Sequence, residues 1–189
     1  MSIEKGRILI PIARATISRT LGREMQAAED AEWLREPGAC FVTLTQQGNL
    51  RGCIGSLEAH RPLLEDVKAN AYAAAFRDTR FSPLSLAELD YTEVEISLLS
   101  TMQPMTFCDE REALAQLRPG LDGVVFECGG YRSTFLPQVW EQLPRPHDFV
   151  AQIKAKAGLA RDFWAEGVRL QRYTVTKWDE EDPAVGTKS

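Results

Sequence analysis

The chain has few of the residues that build metal centres and disulfide frameworks. Its 189 residues include only two histidines and four cysteines. The cysteines are Cys40, Cys53, Cys108 and Cys128, which lie far apart and form no C-x-x-C pair. This spacing excludes the usual zinc-site patterns and a dense set of disulfides. We therefore predict free thiols in a reducing, cytosolic compartment, with no metal and no cofactor.

Long apolar runs and clusters of basic residues are also absent. The apolar stretch at 8–13 is short, contains Pro11 and is followed by Arg14, so it is neither a signal peptide nor a membrane span. The 22 basic residues are outnumbered by 27 acidic ones, which argues against binding to RNA or DNA. Hydrophobic residues (44%) and charged residues (26%) have ordinary shares for a soluble globular protein.

Strand and helix patterns alternate along the chain. Helical spacing predicts helices at 6–21, 62–77, 109–117, 137–143 and 147–159. Strand-forming residues between turn signals predict strands at 39–45, 50–57, 91–100, 122–128, 131–136 and 169–176. Several hairpins among these elements predict an α+β sandwich around a mostly antiparallel sheet. The acidic tail at 179–189 contains proline and glycine and is predicted to be flexible.

The most informative segment is Leu-Arg-Gly-Cys-Ile-Gly at 50–55, in the second strand of the first hairpin. Glycines weaken strands and mark a bulge or a close backbone approach. Alternation along a strand places Arg51 and Cys53 on the same face. An arginine beside a cysteine stabilises the thiolate, which is the reactive form. This segment therefore has the features of a binding or catalytic site.

The turn of the first hairpin predicts how its two strands pair. If Thr45 pairs with Leu50, an unbroken register places Val42 opposite Cys53. Cys40 then lies diagonally from Cys53, with Cα atoms about 7–8 Å apart, which is too far for an unstrained disulfide. Both faces of this hairpin carry apolar residues, so we expect both to be covered.

Two interpretations of Cys53 stay open. Many unpaired cysteines are simply buried and act as small hydrophobic residues. A nucleophilic cysteine needs a base or an electropositive partner. Neither His60 nor His147 is placed beside Cys53 by the sequence, so a Cys–His pair is unsupported.

A charged loop at 77–80 follows the predicted helix 62–77. Cations at this position suit the negative end of the helix dipole, which is a purely structural role for Arg77. Alternatively, Arg80 converges with Arg51 on a carboxylate or phosphate, because the guanidinium fork matches both groups. Asp78 is a candidate partner that would fix Arg51.

The chain resembles the AMMECR-domain family, particularly its prokaryotic branch named AmmeMemoRadiSam system protein A. The matching segments are Leu-Arg-Gly-Cys-Ile-Gly (50–55), Asp-Thr-Arg-Phe-Ser-Pro-Leu (78–84), Glu-Ile-Ser-Leu-Leu-Ser (95–100), Phe-Leu-Pro-Gln-Val-Trp (135–140) and Lys-Ala-Gly-Leu (156–159). The resemblance covers most of residues 8–176, with its segments in order.

This resemblance implies an α/β domain of two lobes over residues 1–178. The larger lobe would hold an antiparallel sheet flanked by helices, and the smaller lobe would be mostly helical. Segment 50–55 would border the cleft between them. The resemblance also implies a Memo-like protein and a radical SAM protein as partners, and it supplies no substrate.

Our leading hypothesis is that this cleft binds a small anionic molecule or a modified residue, with Cys53 as the catalytic or contacting thiol. The candidate ligand-binding residues are Arg51, Gly52, Gly55, Asp78 and Arg80. The rival hypothesis is a non-catalytic adaptor that docks the two implied partners. The sequence does not decide whether the protein is an enzyme, and it does not indicate an oligomeric state.

Overall fold

The computed structural model describes residues 2–181 and shows two compact units. One unit comprises the residues up to Leu99 together with those from Thr176, and the other is Ser100–Val175. Each unit has its own four-stranded sheet and its own hydrophobic core. The predicted α+β fold class is confirmed.

The elements follow one another in an interleaved order. The strands are β1 (Cys40–Gln46), β2 (Asn49–Gly55), β3 (Glu93–Leu99), β4 (Gln103–Pro104), β5 (Gly123–Cys128), β6 (Tyr131–Phe135), β7 (Arg169–Tyr173) and β8 (Val175–Asp179). The α-helices are α1 (Ser2–Thr20), α2 (Leu63–Phe76), α3 (Glu110–Gln116) and α4 (Pro146–Lys156). Short 3-10 helices occupy Glu32–Arg35, Leu86–Tyr91 and Pro137–Glu141.

In the first unit, helices α1 and α2 pack on one face of the sheet β2-β1-β3-β8. Alternate residues of the central strands, including Val42, Leu44, Val94 and Ile96, are buried against these helices. Each such side chain contributes about 1.5–3 kcal/mol when it is fully buried. The opposite face of the hairpin carries partly exposed side chains, so among the described residues of this unit it lacks the helical cover of the first face.

A β-bulge corrects the predicted pairing of the first hairpin. Thr45 pairs with Leu50 as expected, but Leu44 pairs with Gly52. Arg51 is therefore an extra residue with no residue opposite it. A bulge of this kind bends the strand and interrupts the alternation of its side chains.

The bulge changes which residues share a face of the sheet. Cys53 faces Thr43 and not Val42 as predicted, so its side chain lies on the face away from the helices. The side chain of Arg51 is buried and bonds to Glu88, towards the helix-covered face. The prediction that Arg51 and Cys53 lie on the same face is therefore wrong.

The second unit builds the sheet β4-β7-β5-β6, whose neighbouring strands are all antiparallel. The Gly-Gly hairpin forms as predicted, with Cys128 opposite Tyr131. Helix α4 and a 3-10 helix close its core, where Trp140 stacks on Phe149 with ring centroids 3.8 Å apart. Because this unit holds four strands as well as helices, it is less helical than the smaller lobe that the resemblance implies.

The strand predicted at 169–176 divides between the two sheets. Strand β7 joins the sheet of the second unit, and β8 joins that of the first. Of the tail predicted at 179–189, residues 182–189 lie outside the described residues. Within the described part, Asp179 ends β8 and Glu180 forms an ion pair with Arg14. None of the helices in residues 2–181 has the length and apolar character needed to cross a membrane.

Candidate functional site

Cys53 lies in β2, which is an edge strand of its sheet. The thiol is half-buried, and the Thr43 hydroxyl donates a hydrogen bond to Sγ at 3.4 Å. The Cys53 backbone N–H donates to Asp78 Oδ2 at 2.9 Å, and its carbonyl accepts from Arg80 Nη2 at 3.3 Å. The loop after α2 therefore satisfies backbone groups that an open sheet edge would leave unpaired.

Asp78 is buried and holds Arg80 in place. Its carboxylate accepts hydrogen bonds from Arg80 Nε at 2.9 Å and from Nη2 at 2.6 Å. The Arg80 side chain and the backbone N–H groups of Cys53 and Arg80 hold the pKa of Asp78 well below its usual range. Asp78 in turn raises the pKa of Arg80, chiefly through their hydrogen bonds. The suggested Asp78–Arg51 pair does not form, because Asp78 pairs with Arg80.

Arg51 has a different partner and a different environment. Its Nε donates to Glu88 Oε1 at 2.9 Å, from a side chain that is 10% exposed. This bond, together with those from the backbone N–H and hydroxyl of Ser85, lowers the pKa of Glu88 from 4.5 to about 2. Within residues 2–181, Nη1 and Nη2 of Arg51 are buried and have no hydrogen-bond partner.

The two arginines of the candidate site meet at Phe81. The guanidinium carbon of Arg51 lies 5.8 Å from the centroid of the Phe81 ring, and that of Arg80 lies 5.5 Å from it. Both arrangements are within range of a cation–π interaction. The structure therefore brings Arg51 and Arg80 together around an aromatic ring, and of the two it is Arg80 that hydrogen-bonds to the backbone of Cys53.

The two glycines of the segment make room for the protein's own atoms. A Cβ on Gly52 would lie 2.1 Å from the carbonyl oxygen of Ala74 in α2. A Cβ on Gly55 would lie 2.2 Å from the ring of Phe41. The close approach that the glycines predict is confirmed. Their role as ligand contacts stays a prediction.

A Cys–His pair stays unsupported in the described part of the first unit. His60 is exposed, and its ring contacts the carbonyl of Glu58 at 2.9 Å. The described neighbours of Cys53 are the Thr43 hydroxyl, which bonds to Sγ, and the Arg80 guanidinium, which bonds to the Cys53 carbonyl. In the part of the chain that the structure describes, no group of three His, Cys, Asp or Glu side chains is placed to hold a metal ion.

Cys40 contrasts with Cys53 and belongs to the interior. It is fully buried, and burial beside Asp66 raises the pKa of its thiol. The Asp66 carboxylate accepts from the Cys40 backbone N–H, the Ser56 hydroxyl, Arg61 Nε and Asn70 Nδ2, at 2.6–3.0 Å. Because no buried side-chain donor of this cluster is left without an acceptor among the described residues, we assign it to the architecture of the fold.

Two site residues were missed from the sequence. Glu88 belongs to a capping box in which Ser85 and Glu88 bond to each other's backbone groups. The pattern Ser-x-x-Glu at 85–88 predicts such a box and would have placed Glu88 at the start of a helix. No local pattern indicates that Phe81 would lie against two arginines.

Comparison with known proteins agrees with these features. A model of the AMMECR1 family matches residues 10–178. Protein MJ0810 of Methanocaldococcus jannaschii is 34% identical over 97% of this chain and 94% of its own length. A protein of Aeropyrum pernix is 36% identical over 94% of this chain and 80% of its own length. The crystal structure of uncharacterized protein PH0010 from Pyrococcus horikoshii matches with a TM-score of 0.77 and 32% identity, over 98% of this chain and 96% of that one. The chain belongs to the AMMECR1 family.

Proposed function

We propose that the first unit binds a small anionic molecule, or a modified residue, beside Cys53, with Arg80 as an anion contact. The observation that carries this proposal is a partly exposed cysteine whose carbonyl accepts a hydrogen bond from a guanidinium held by a buried carboxylate. The side chain of Arg80 is 53% exposed, whereas that of Asp78 is 5% exposed. An approaching ligand therefore meets the cation of this pair and not the anion.

Arg80 keeps hydrogen-bonding capacity for a ligand. Its Nε and Nη2 are used by Asp78 and the Cys53 carbonyl, and Nη1 has no partner among the described residues. A guanidinium fixed on one edge loses little further freedom when its other edge binds carboxylate or phosphate. Asp78 thus acts as a positioning residue in this proposal.

Cys53 is the reactive or contacting thiol of the proposed site. Its Sγ accepts a hydrogen bond from the Thr43 hydroxyl, and its carbonyl accepts one from the Arg80 guanidinium. The four unpaired cysteines support a reducing, cytosolic compartment for such a thiol. In this proposal the site serves one step of a small modification or metabolic pathway shared with the Memo-like and radical SAM partners that the family resemblance implies.

Alkylation by iodoacetamide, resolved for each cysteine by peptide mass spectrometry across a pH series, tests the proposal. Cys108 is the reference, because it is exposed and Glu112 raises the pKa of its thiol. We expect Cys53 to react several-fold faster than Cys108 at pH 7. Arg80→Gln should remove this advantage, and inorganic phosphate should slow the reaction of Cys53 at matched ionic strength.

Arg77→Gln is the matched control, since Arg77 is an exposed arginine of the same loop that lies over Tyr72. This variant should alkylate like the wild type. If Cys53 reacts no faster than Cys108, or if both arginine variants slow it equally, the thiol is not activated by Arg80 and the proposal fails.

A non-catalytic adaptor is the second candidate, and the glycines favour it. Because Gly52 and Gly55 make room for Ala74 and Phe41, the segment can be explained as architecture. Pull-down of a Memo-like or radical SAM partner with wild type and with Cys53→Ser distinguishes the two functions. Equal capture by both proteins, with full function of Cys53→Ser in cells, would favour the adaptor.

A further inference from the structure

The guanidinium of Arg51 offers donors that no described residue accepts. Arg51 is 8% exposed, and both Nη1 and Nη2 are buried without a hydrogen-bond partner. About nine-tenths or more of buried polar groups in folded proteins have a partner, so a buried charged group with two unused nitrogens requires a reason. The unused nitrogens form the end of the fork, an edge that can bind both oxygens of a carboxylate or phosphate.

Glu88 orients the Arg51 guanidinium by bonding to Nε, but it does not bond to Nη1 or Nη2. Its Oε1 accepts from Arg51 Nε at 2.9 Å. Its Oε2 accepts from the Ser85 backbone N–H and hydroxyl, both at 2.8 Å. Because the capping box holds Oε2, the carboxylate stays at the Nε edge. An anion at Nη1 and Nη2 would meet the guanidinium on the edge away from Glu88.

Phe81 covers the region between the two arginines. Its ring lies against the guanidinium groups of both Arg51 and Arg80. The loop that carries it is fixed at both ends, since Phe81 N–H donates to the Asp78 carbonyl at 3.1 Å and Leu84 N–H donates to the Ala75 carbonyl at 2.8 Å. Backbone hydrogen bonds therefore hold the loop on both sides of the ring, while the ring itself is held by no hydrogen bond.

We propose that Nη1 and Nη2 of Arg51 bind one oxyanion, a carboxylate or a phosphate, and that the ring of Phe81 closes this subsite when it is empty. The inference rests on the proposed anion-binding function and adds the atoms that hold the anion. Arg80, on the exposed side, makes the first contact with the ligand. Arg51 makes the second, buried contact after Phe81 has moved.

Titration with inorganic phosphate or acetate, at constant ionic strength, tests this subsite in the full chain. Isothermal calorimetry gives the affinity, and nitrogen-15 NMR of the arginine side chains gives the position. We expect the Arg51 resonances to shift on titration. Phe81→Ala should bind the preferred anion at least about fivefold more tightly than the wild type, because no ring has to be displaced. The phosphate and acetate arms show which class of oxyanion is preferred.

Arg51→Lys in the Phe81→Ala background should lose the gained affinity, because an ammonium cannot form the planar two-nitrogen contact. Arg77→Gln in the same background should keep it. The subsite is overturned if Phe81→Ala binds no more tightly than wild type, or if the Arg51→Lys double variant keeps the affinity. The NMR arm on the wild type does not depend on the folding of any variant.

The outcomes also separate this inference from the proposed function. If phosphate slows the alkylation of Cys53 through Arg80 while the Arg51 resonances stay unchanged, the subsite fails and the proposed function stands. If neither anion binds or slows the alkylation, both fail.

Discussion

Replacing Glu88 with glutamine should destabilise the first unit through Arg51. Glutamine keeps the size of the side chain and an oxygen acceptor, but it removes the negative charge that compensates a buried cation. Removing one partner from a buried ion pair leaves the other charge uncompensated, which is far more costly than the loss of a surface pair.

The pKa of Glu88 gives the expected magnitude. It falls from 4.5 to about 2 in the folded protein, chiefly because of the hydrogen bond from Arg51. Since one pKa unit corresponds to about 1.4 kcal/mol, the ionised group contributes about 3 kcal/mol to folding at neutral pH. This contribution is fully present above pH 4.5 and is lost as the pH falls from 4.5 towards 2. Glu88→Gln lacks it at every pH.

Urea unfolding of wild type and Glu88→Gln between pH 7 and pH 3 measures the effect. The free energies of unfolding should differ by about 3 kcal/mol at pH 7 and converge in acid. Asp90→Asn is the control, because Asp90 is a carboxylate in the same 3-10 helix. Its side chain is 70% exposed and pairs with Arg23. It should change stability little. A Glu88→Gln difference that stays constant from pH 7 to pH 3, or is no larger than that of the control, would refute the assignment.

Two further substitutions test the architecture around the site. Gly52→Ala should lower the free energy of unfolding in urea by at least about 2 kcal/mol, because the new Cβ would overlap the carbonyl oxygen of Ala74. Gly130 has open space around it, so Gly130→Ala should be nearly neutral in the same assay. Asp66→Ala should cost about 3–5 kcal/mol, since it leaves the buried donors around it without an acceptor. Thermal unfolding of Asp66→Ala and of Glu65→Ala, a change at an exposed neighbour, measures this loss of stability. Equal stability of the two variants would contradict the prediction.

Local sequence patterns predict most helices and hairpins of this protein, but they do not predict which distant strands pair. The helix predicted at 62–77 and the Gly-Gly hairpin form as expected, because short-range periodicity and turn residues specify them. The strand predicted at 169–176 breaks into β7 and β8 because its two halves pair with different sheets. Pairing partners lie far away in the sequence, so local patterns could not reveal this division.

At the candidate site, the sequence likewise predicted some residue positions and not others. The glycines correctly indicated close approach, of the Ala74 backbone at Gly52 and of the Phe41 ring at Gly55. The extra residue at Arg51 could not be read from a two-residue alternation, because a bulge depends on how the neighbouring strand pairs. The bulge turns the side chain of Arg51 away from Cys53 and towards Glu88.

The sequence alone determined the family, the α+β class and the segments that carry the candidate chemistry, because these depend on residue identity and short-range spacing. Only the tertiary structure decided which charges meet: Asp78 with Arg80 at the strand edge, and Arg51 with Glu88 inside the unit. The physical reason is that ion pairing depends on distance in space. That distance is set by the bulge in β2 and by the loop that closes over its edge.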